Sequence, residues 1–182
     1  MRSRAIFLDR DGVLNHPVIR EGKSYPPPSL RDLQIYEGLR EPLRRLKDRG
    51  FVLVVVTNQP DVARGTTPRE TVEGINAAIA GEIPAIDKFF VCFHDNRDNC
   101  DCRKPKPGML LAAAAEFDLD LQRSYMIGDR RGDVEAGKAA GSRTIFVDRN
   151  YREVAPVDYD YKVFSTHEAL KIIESESQHE KS

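Results

Sequence analysis

No run of apolar residues in this chain is long enough to cross a bilayer; the longest, such as Phe51 to Val56, stop far short. No charge of one sign dominates either. Twenty-eight Lys and Arg stand against 29 Asp and Glu, a formal net charge of −1, so no bulk field recruits nucleic acid or an anionic membrane. A basic stripe with interleaved aromatics, the footprint of a nucleic-acid binder, is also missing. The start, Met1-Arg2-Ser3-Arg4, is basic, but the run behind it ends at Asp9, too short for the core of a signal peptide. These absences lead to the expectation of a soluble, cytoplasmic protein that engages neither membrane nor nucleic acid. Cysteine is scarce, three residues in 182, and an odd count in that compartment argues against disulfides. What remains is ordinary globular composition: 40% hydrophobic, 31% charged, with 12 Gly and 11 Pro. Collagen-like, coiled-coil and wholly disordered classes are excluded. The length fits a single domain, expected over residues 1–173 with a polar, solvated tail over 174–182 and a monomer as the default state.

The three cysteines are not scattered. Cys92, Cys100 and Cys102 share an eleven-residue window with His94, in the pattern Cys-x-His-x5-Cys-x-Cys. Random placement would cluster them this tightly on the order of once in a hundred shuffles. The intervening Asp95-Asn96-Arg97-Asp98-Asn99 is too polar for a core. Thiolates and a neutral imidazole are what zinc takes in a closed tetrahedral site. Four protein ligands leave no open position, so the expected role is to staple a loop and perform no chemistry.

Apolar β-rich runs alternate with helix-compatible spacing along most of the chain. Strands are predicted over Arg4–Asp9, Phe51–Thr57, Phe89–Phe93, Ser124–Gly128 and Arg143–Val147, near-continuous runs of the kind buried on both faces of a parallel sheet. Helices are predicted over Gly38–Arg49, Pro68–Gly81, Pro107–Phe117 and Arg131–Ala140, with a last one over His167–Ile173 capped by Thr166. The repeated β-α-β order predicts a doubly wound α/β fold with right-handed crossovers. Ligands of such sheets sit outside the carboxyl ends of the strands. There the sequence puts Asp9-Arg10-Asp11-Gly12, Thr57-Asn58-Gln59, Arg103-Lys104-Pro105 and Gly128-Asp129 followed by Asp133.

Clustered carboxylates stay ionised only beside a cation, and oxygen-only ligands with room for phosphate suit magnesium. In such a cluster Asp9 is the candidate nucleophile for phosphorus, forming an aspartyl-phosphate. Asp11 is the candidate acid/base, Thr57 and Lys104 the donors to phosphoryl oxygens, and Asp129 a further metal ligand. Asp133 is expected either to support that group or to cap its helix.

Four motifs carry a resemblance: Phe7-Leu8-Asp9-Arg10-Asp11-Gly12-Val13-Leu14-Asn15, Val56-Thr57-Asn58-Gln59, Cys102-Arg103-Lys104-Pro105-Lys106-Pro107-Gly108 and Ile127-Gly128-Asp129. Together they resemble the haloacid dehalogenase superfamily of phosphatases, and within it the subgroup of heptose-bisphosphate and histidinol-phosphate phosphatases. Ala63-Arg64-Gly65 looks more like the heptose enzymes. The resemblance implies a Rossmannoid core with minimal cap and magnesium held by Asp9, the backbone carbonyl of Asp11, and Asp129. It implies that Asn58, Gln59 and Arg103 hold substrate and that a heptose 1,7-bisphosphate loses its C7 phosphate. Histidinol phosphate or another small phosphomonoester is the alternative; a nucleic-acid 3′-phosphatase and a non-catalytic zinc-binding module stand further off. Three stretches depart from the heptose pattern. Pro60 and Asp61 replace small residues, the segment from His16 to Pro28 is longer, and Arg131 follows Arg130, with a position outside the site expected for it.

Overall fold

The computed structural model describes residues 2–179. Six strands form one sheet: β1 (Arg4–Leu8), β4 (Phe51–Asn58), β5 (Lys88–Cys92), β6 (Tyr125–Gly128), β7 (Arg143–Val147) and β8 (Tyr161–Val163), in the order β5-β4-β1-β6-β7-β8. Every neighbouring pair is parallel. The order reverses across β1, which is where a doubly wound sheet opens its ligand crevice.

Alternation along β1 explains the two layers. Ile6 and Leu8 face a core built with Leu43 and Leu46 of α1 (Arg40–Asp48), Ile75 and Ile79 of α2 (Arg69–Glu82), and Leu170 and Ile173 of α5 (Thr166–His179). Ala5 and Phe7 face a second core with Met109, Leu110 and Ala113 of α3 (Gly108–Phe117) and Ala136 of α4 (Arg131–Ala140). All these side chains are essentially removed from water, and burial of each large one contributes about 1.5–3 kcal/mol. Gly137 lets α4 lie flat on the sheet, since a Cβ there would meet Met126 Cβ at 2.8 Å. The doubly wound α/β core expected from the sequence is therefore present.

Two elements escape the sequence patterns. Strands β2 (Val18–Arg20) and β3 (Lys23–Tyr25) pair antiparallel as a small hairpin over the carboxyl end of the sheet, turning at Glu21 and Gly22, both with positive φ. This hairpin is the small cap. Strand β8 adds three residues at the sheet edge beside β7.

The expected solvated tail from Glu174 onward is corrected as far as His179, and so is the expected end of the last helix at Ile173. Helix α5 continues through that segment because its residues have partners: Arg45 reaches Glu174, Arg49 donates to the Glu174 carbonyl and to Ser177 Oγ, and Tyr125, Tyr161 and Arg143 converge on Glu176. Residues 180–182 lie outside the described residues. Thr166 does not cap this helix. Its hydroxyl donates to the Val13 carbonyl, and Ser165 Oγ accepts from the Glu168 N–H instead. No helix among the described residues is long and apolar enough to cross a membrane.

Candidate active site

Register places the chemistry. Leu8 pairs with Val55 on one side and Ile127 on the other, so the next residue of β1, Asp9, emerges between the ends of β4 and β6. Its N–H donates to the Ile127 carbonyl at 2.9 Å. Asp129 follows β6 directly, and Asp133 sits in the first turn of α4. Asp9, Asp129 and Asp133 bring carboxylate oxygens within 4.8 Å of one another, all buried. Lys104 Nζ bridges two of them, 2.7 Å from Asp9 Oδ1 and 2.6 Å from Asp133 Oδ1, and donates to the Val56 carbonyl at 2.7 Å.

Three buried acids and one ammonium are electrostatically uneven. Burial pushes the Asp9 carboxyl up to about 6; Lys104 opposes this, while Asp133 and Asp11 add to it. Burial, then Asp9 and Asp133, raise Asp129 well above the ordinary carboxylate range. Burial alone would lower Lys104, but Asp133 and Asp9 outweigh it and hold the ammonium above its usual value. Asp129 Oδ1 is buried with no hydrogen-bond donor on it, while Oδ2 accepts from the Tyr151 hydroxyl at 2.7 Å. A divalent cation fits this donor set, because hard oxygens, surplus negative charge and an unsatisfied carboxylate oxygen are what magnesium binds. Gly12 is required here: at φ +91 a Cβ would stand 1.8 Å from Asp129 Oδ2.

The sequence-predicted residues do not all face the same way. Asp9, Asp11, Thr57, Asn58, Arg103 and Lys104 line one cavity of about 410 Å³, closed on the hairpin side by Lys23, Ser24, Tyr25 and Pro26. The Asp11 carboxylate is gripped from behind: Arg10 donates from Nη2 to Oδ2 at 3.0 Å, Asn15 Nδ2 donates to Oδ1 at 3.0 Å and Gln59 Nε2 to Oδ2 at 2.8 Å. Gln59, expected to hold substrate, is 1% exposed and also donates to Thr57 Oγ1. Its amide orients two cavity side chains and does not line the cavity. Asn58 exchanges hydrogen bonds with the Lys104 backbone, Nδ2 to its carbonyl and its N–H to Oδ1. It positions the lysine while bordering the cavity. Arg103 spends Nε on Asn96 Oδ1 and Nη1 on the His94 carbonyl, tying the cavity rim to the Cys/His loop.

Asp133 serves both roles left open for it, accepting the Arg130 N–H at the start of α4 and pairing with Lys104. The departing residues are accommodated. Asp61 is paired with Arg64, which also grips Asp95 in the Cys/His loop. Arg131 borders the cavity after all, on the first turn of α4, paired with Glu135. Sequence reasoning missed Arg10 and Tyr151. Arg10 is fully buried between the two motif acids and also reaches Asn76 Oδ1; its only signal was a charged residue inside a strand-end motif. Tyr151 belongs to a loop that nothing in the sequence marks.

At the end of β5, Cys92, His94, Cys100 and Cys102 bring one ligand atom each within 4.8 Å of the others. Sulfur separations are 3.6 Å for Cys92–Cys100, 3.5 Å for Cys100–Cys102 and 2.9 Å for Cys92–Cys102, with His94 Nδ1 3.3 Å from Cys102. None is disulfide-bonded.

Comparison with known proteins agrees with this geometry. A model of haloacid dehalogenase-like hydrolases matches residues 29–141. The D-glycero-beta-D-manno-heptose-1,7-bisphosphate 7-phosphatase of Pasteurella multocida (strain Pm70) is 38% identical over 149 residues, covering 75% of this chain and 77% of that protein. The protein of the same description from Escherichia coli (strain K12) is 36% identical over 165 residues, covering 84% and 82%. Among solved structures, the D,D-heptose 1.7-bisphosphate phosphatase from B. bronchiseptica, complexed with magnesium and phosphate, superposes with a TM-score of 0.82 at 25% identity over 95% of this chain and 99% of that one. With its aspartates gathered at the switch point of a parallel sheet and its relatives spanning most of its length, the chain belongs to the haloacid dehalogenase-like hydrolases.

Proposed function

We propose that this chain is a magnesium-dependent phosphomonoesterase that removes the C7 phosphate of a D-glycero-D-manno-heptose 1,7-bisphosphate through an aspartyl-phosphate on Asp9. The observation that carries the reading is the meeting of Asp9, Asp129 and Asp133 within 4.8 Å, with Lys104 paired to Asp9 and Asp133 where these line a cavity large enough for a sugar phosphate. Similarity of 36–38% to heptose-bisphosphate phosphatases over most of the chain supports the sugar. Asp9, Asp129 and the backbone carbonyl of Asp11 would hold magnesium, with Asp133 close behind. Magnesium bound there supplies neutralising charge for the clustered acids and for the phosphate.

In the first step an Asp9 oxygen attacks phosphorus, the bond from phosphorus to the sugar oxygen breaks, and Asp11 gives its proton to the leaving alkoxide. In the second, Asp11 takes a proton from water as the water oxygen attacks the same phosphorus, releasing phosphate and restoring Asp9. Lys104 fixes the Asp9 oxygen and, with the Thr57 hydroxyl, meets the negative oxygens of the transferring group. Asn58 holds Lys104 in place, and Arg103 presents its remaining N–H groups to the far end of the substrate.

The reading extends to the Cys/His loop. Zinc–sulfur bonds of about 2.3 Å in a tetrahedron set sulfurs about 3.8 Å apart, close to the separations of Cys100 from Cys92 and Cys102. Zinc held by Cys92, His94, Cys100 and Cys102 would fix Arg64 and Arg103 at the cavity rim through Asp95, Asn96 and the His94 carbonyl. We further assign a monomer of one domain acting in the cytoplasm on a small phosphorylated metabolite, and no nucleic-acid partner, in keeping with the net charge of −1. A phosphate-release screen with magnesium, across heptose 1,7-bisphosphates, histidinol phosphate and nucleotides, tests the substrate. The highest kcat/KM should fall on a heptose bisphosphate; a higher value on histidinol phosphate would overturn the sugar, and none above background on any ester the enzyme.

A further inference from the structure

We propose that Tyr151 is a positioning residue for the active-site divalent cation, fixing which oxygen of Asp129 the ion meets. The inference rests on the proposed function only in taking Asp129 as a ligand. Tyr151 lies 22 residues beyond Asp129 in the chain, in the loop that follows β7, yet its hydroxyl donates to Asp129 Oδ2 at 2.7 Å. The other oxygen, Oδ1, is buried and receives no donor from the protein. One oxygen of this carboxylate is thus pinned and its twin left unsatisfied by the protein. The contact occupies space that any side chain at residue 12 would take, since a Cβ on Gly12 would stand 2.9 Å from Tyr151 Oη.

The loop is anchored on both sides of Tyr151, which makes the contact a fixed feature of the fold. The Asn150 N–H donates to Asp148 Oδ1 at 2.8 Å, and the Arg152 N–H donates to the Gly22 carbonyl at 2.8 Å. Glu153 pairs with Arg130 at 2.7 Å and accepts the Ser24 N–H at 3.2 Å. Residues 150–153 therefore strap the cap hairpin to Asp129 and to Arg130, the second of which lines the cavity. Hydrogen bonds that orient a ligand are worth about 10–100-fold in metal affinity when lost, because the freed carboxylate must be ordered by the ion itself.

The test is Tyr151→Phe, which keeps the ring and removes the hydroxyl. Magnesium is titrated calorimetrically into the full chain dialysed against magnesium-free buffer without chelator, and phosphate release is measured against magnesium concentration. The expected result is a magnesium Kd raised about tenfold or more. The magnesium needed for half-maximal turnover should rise by the same factor, with kcat at saturating magnesium largely retained. Tyr161→Phe, which removes a hydroxyl bonded to Glu176 away from the cavity, should leave the Kd unchanged. A Tyr151→Phe Kd within about twofold of the parent, or a kcat defect at saturating magnesium without a Kd change, would overturn the proposal. The calorimetric arm needs no turnover, so a chain that binds magnesium but hydrolyses no phosphate ester would sink the functional reading and still decide the role of Tyr151.

Discussion

At the residue scale, the site is a set of acids whose orientations are held by neighbouring side chains. Asp11 shows this most clearly. Arg10, Asn15 and Gln59 donate to its carboxylate and hold it at the border of the cavity that Asp9 also lines. Gln59 adds a bond to Thr57 Oγ1, coupling the proposed acid/base to the proposed phosphate donor. Gln59→Met should therefore lower kcat by about 10–100-fold while leaving KM within about twofold, since ground-state binding loses nothing. Steady-state kinetics on the best phosphate ester decide this, and a raised KM at unchanged kcat would return Gln59 to the substrate. The strand-end acids were legible because a parallel sheet forces its ligands to that edge, and polar residues closing apolar runs stand out. Arg10, Asn15 and Tyr151 were not, because their roles depend on side-chain direction and on a long-range contact that sequence spacing does not encode.

At the scale of elements, the strands readable from sequence were the continuous apolar runs, four of them buried on both faces and the fifth, β5, only in part. β1, β4, β6 and β7 are near-continuous apolar runs, and their limits agree with the expectation to within a residue. The hairpin β2–β3 and the edge strand β8 are three residues each and partly exposed, so they leave no apolar run to find. Helix α5 was cut short at Ile173 because its last turns are polar; they are held by ion pairs and hydroxyls in place of apolar burial. That difference has a pH signature. Burial opposes ionisation of Glu176, but the hydroxyls of Tyr125 and Tyr161 and the Arg143 guanidinium hold its pKa below the ordinary 4.5. A lowered folded-state pKa contributes stability that is present above 4.5 and lost as pH falls through the lower folded value. The Tm gap between the parent and Glu176→Gln should thus be constant from pH 7 to about pH 5 and shrink below about pH 4. A gap that persists unchanged to about pH 3 would show that the clasp does not depend on the charge.

The Cys/His loop is the other element with a consequence at a distance. Arg64 and Arg103 reach it from the cavity rim, so its shape and the rim's are one problem. Cys100→Ser should lose most of the bound zinc, lower Tm by roughly 5–10 °C and raise KM more than it lowers kcat. Metal analysis of natively purified protein alongside kinetics checks this. Absence of zinc from the parent protein would remove the staple from the account.

At the scale of the whole molecule, the sheet order carries the function. Because β1 is flanked by β4 and β6, Asp9 and Asp129, 120 positions apart, are delivered to one place. The sequence indicated that convergence through the β-α-β alternation alone, while cap, strap and helix ends depend on tertiary partners. Near-zero net charge leaves selection of an anionic substrate to the local array at the cavity, where Lys23, Arg64, Arg103, Arg130 and Arg131 stand around the buried acids. The claim on which all of this depends is covalent, and acid quenching of the enzyme during turnover of its best substrate, followed by mass mapping of the phosphoryl group, tests it most directly. The account predicts a base-labile acyl phosphate on the peptide that contains Asp9, and on that side chain. A phosphoryl group on any other residue, or steady turnover with none on the protein at any quench time, would contradict it.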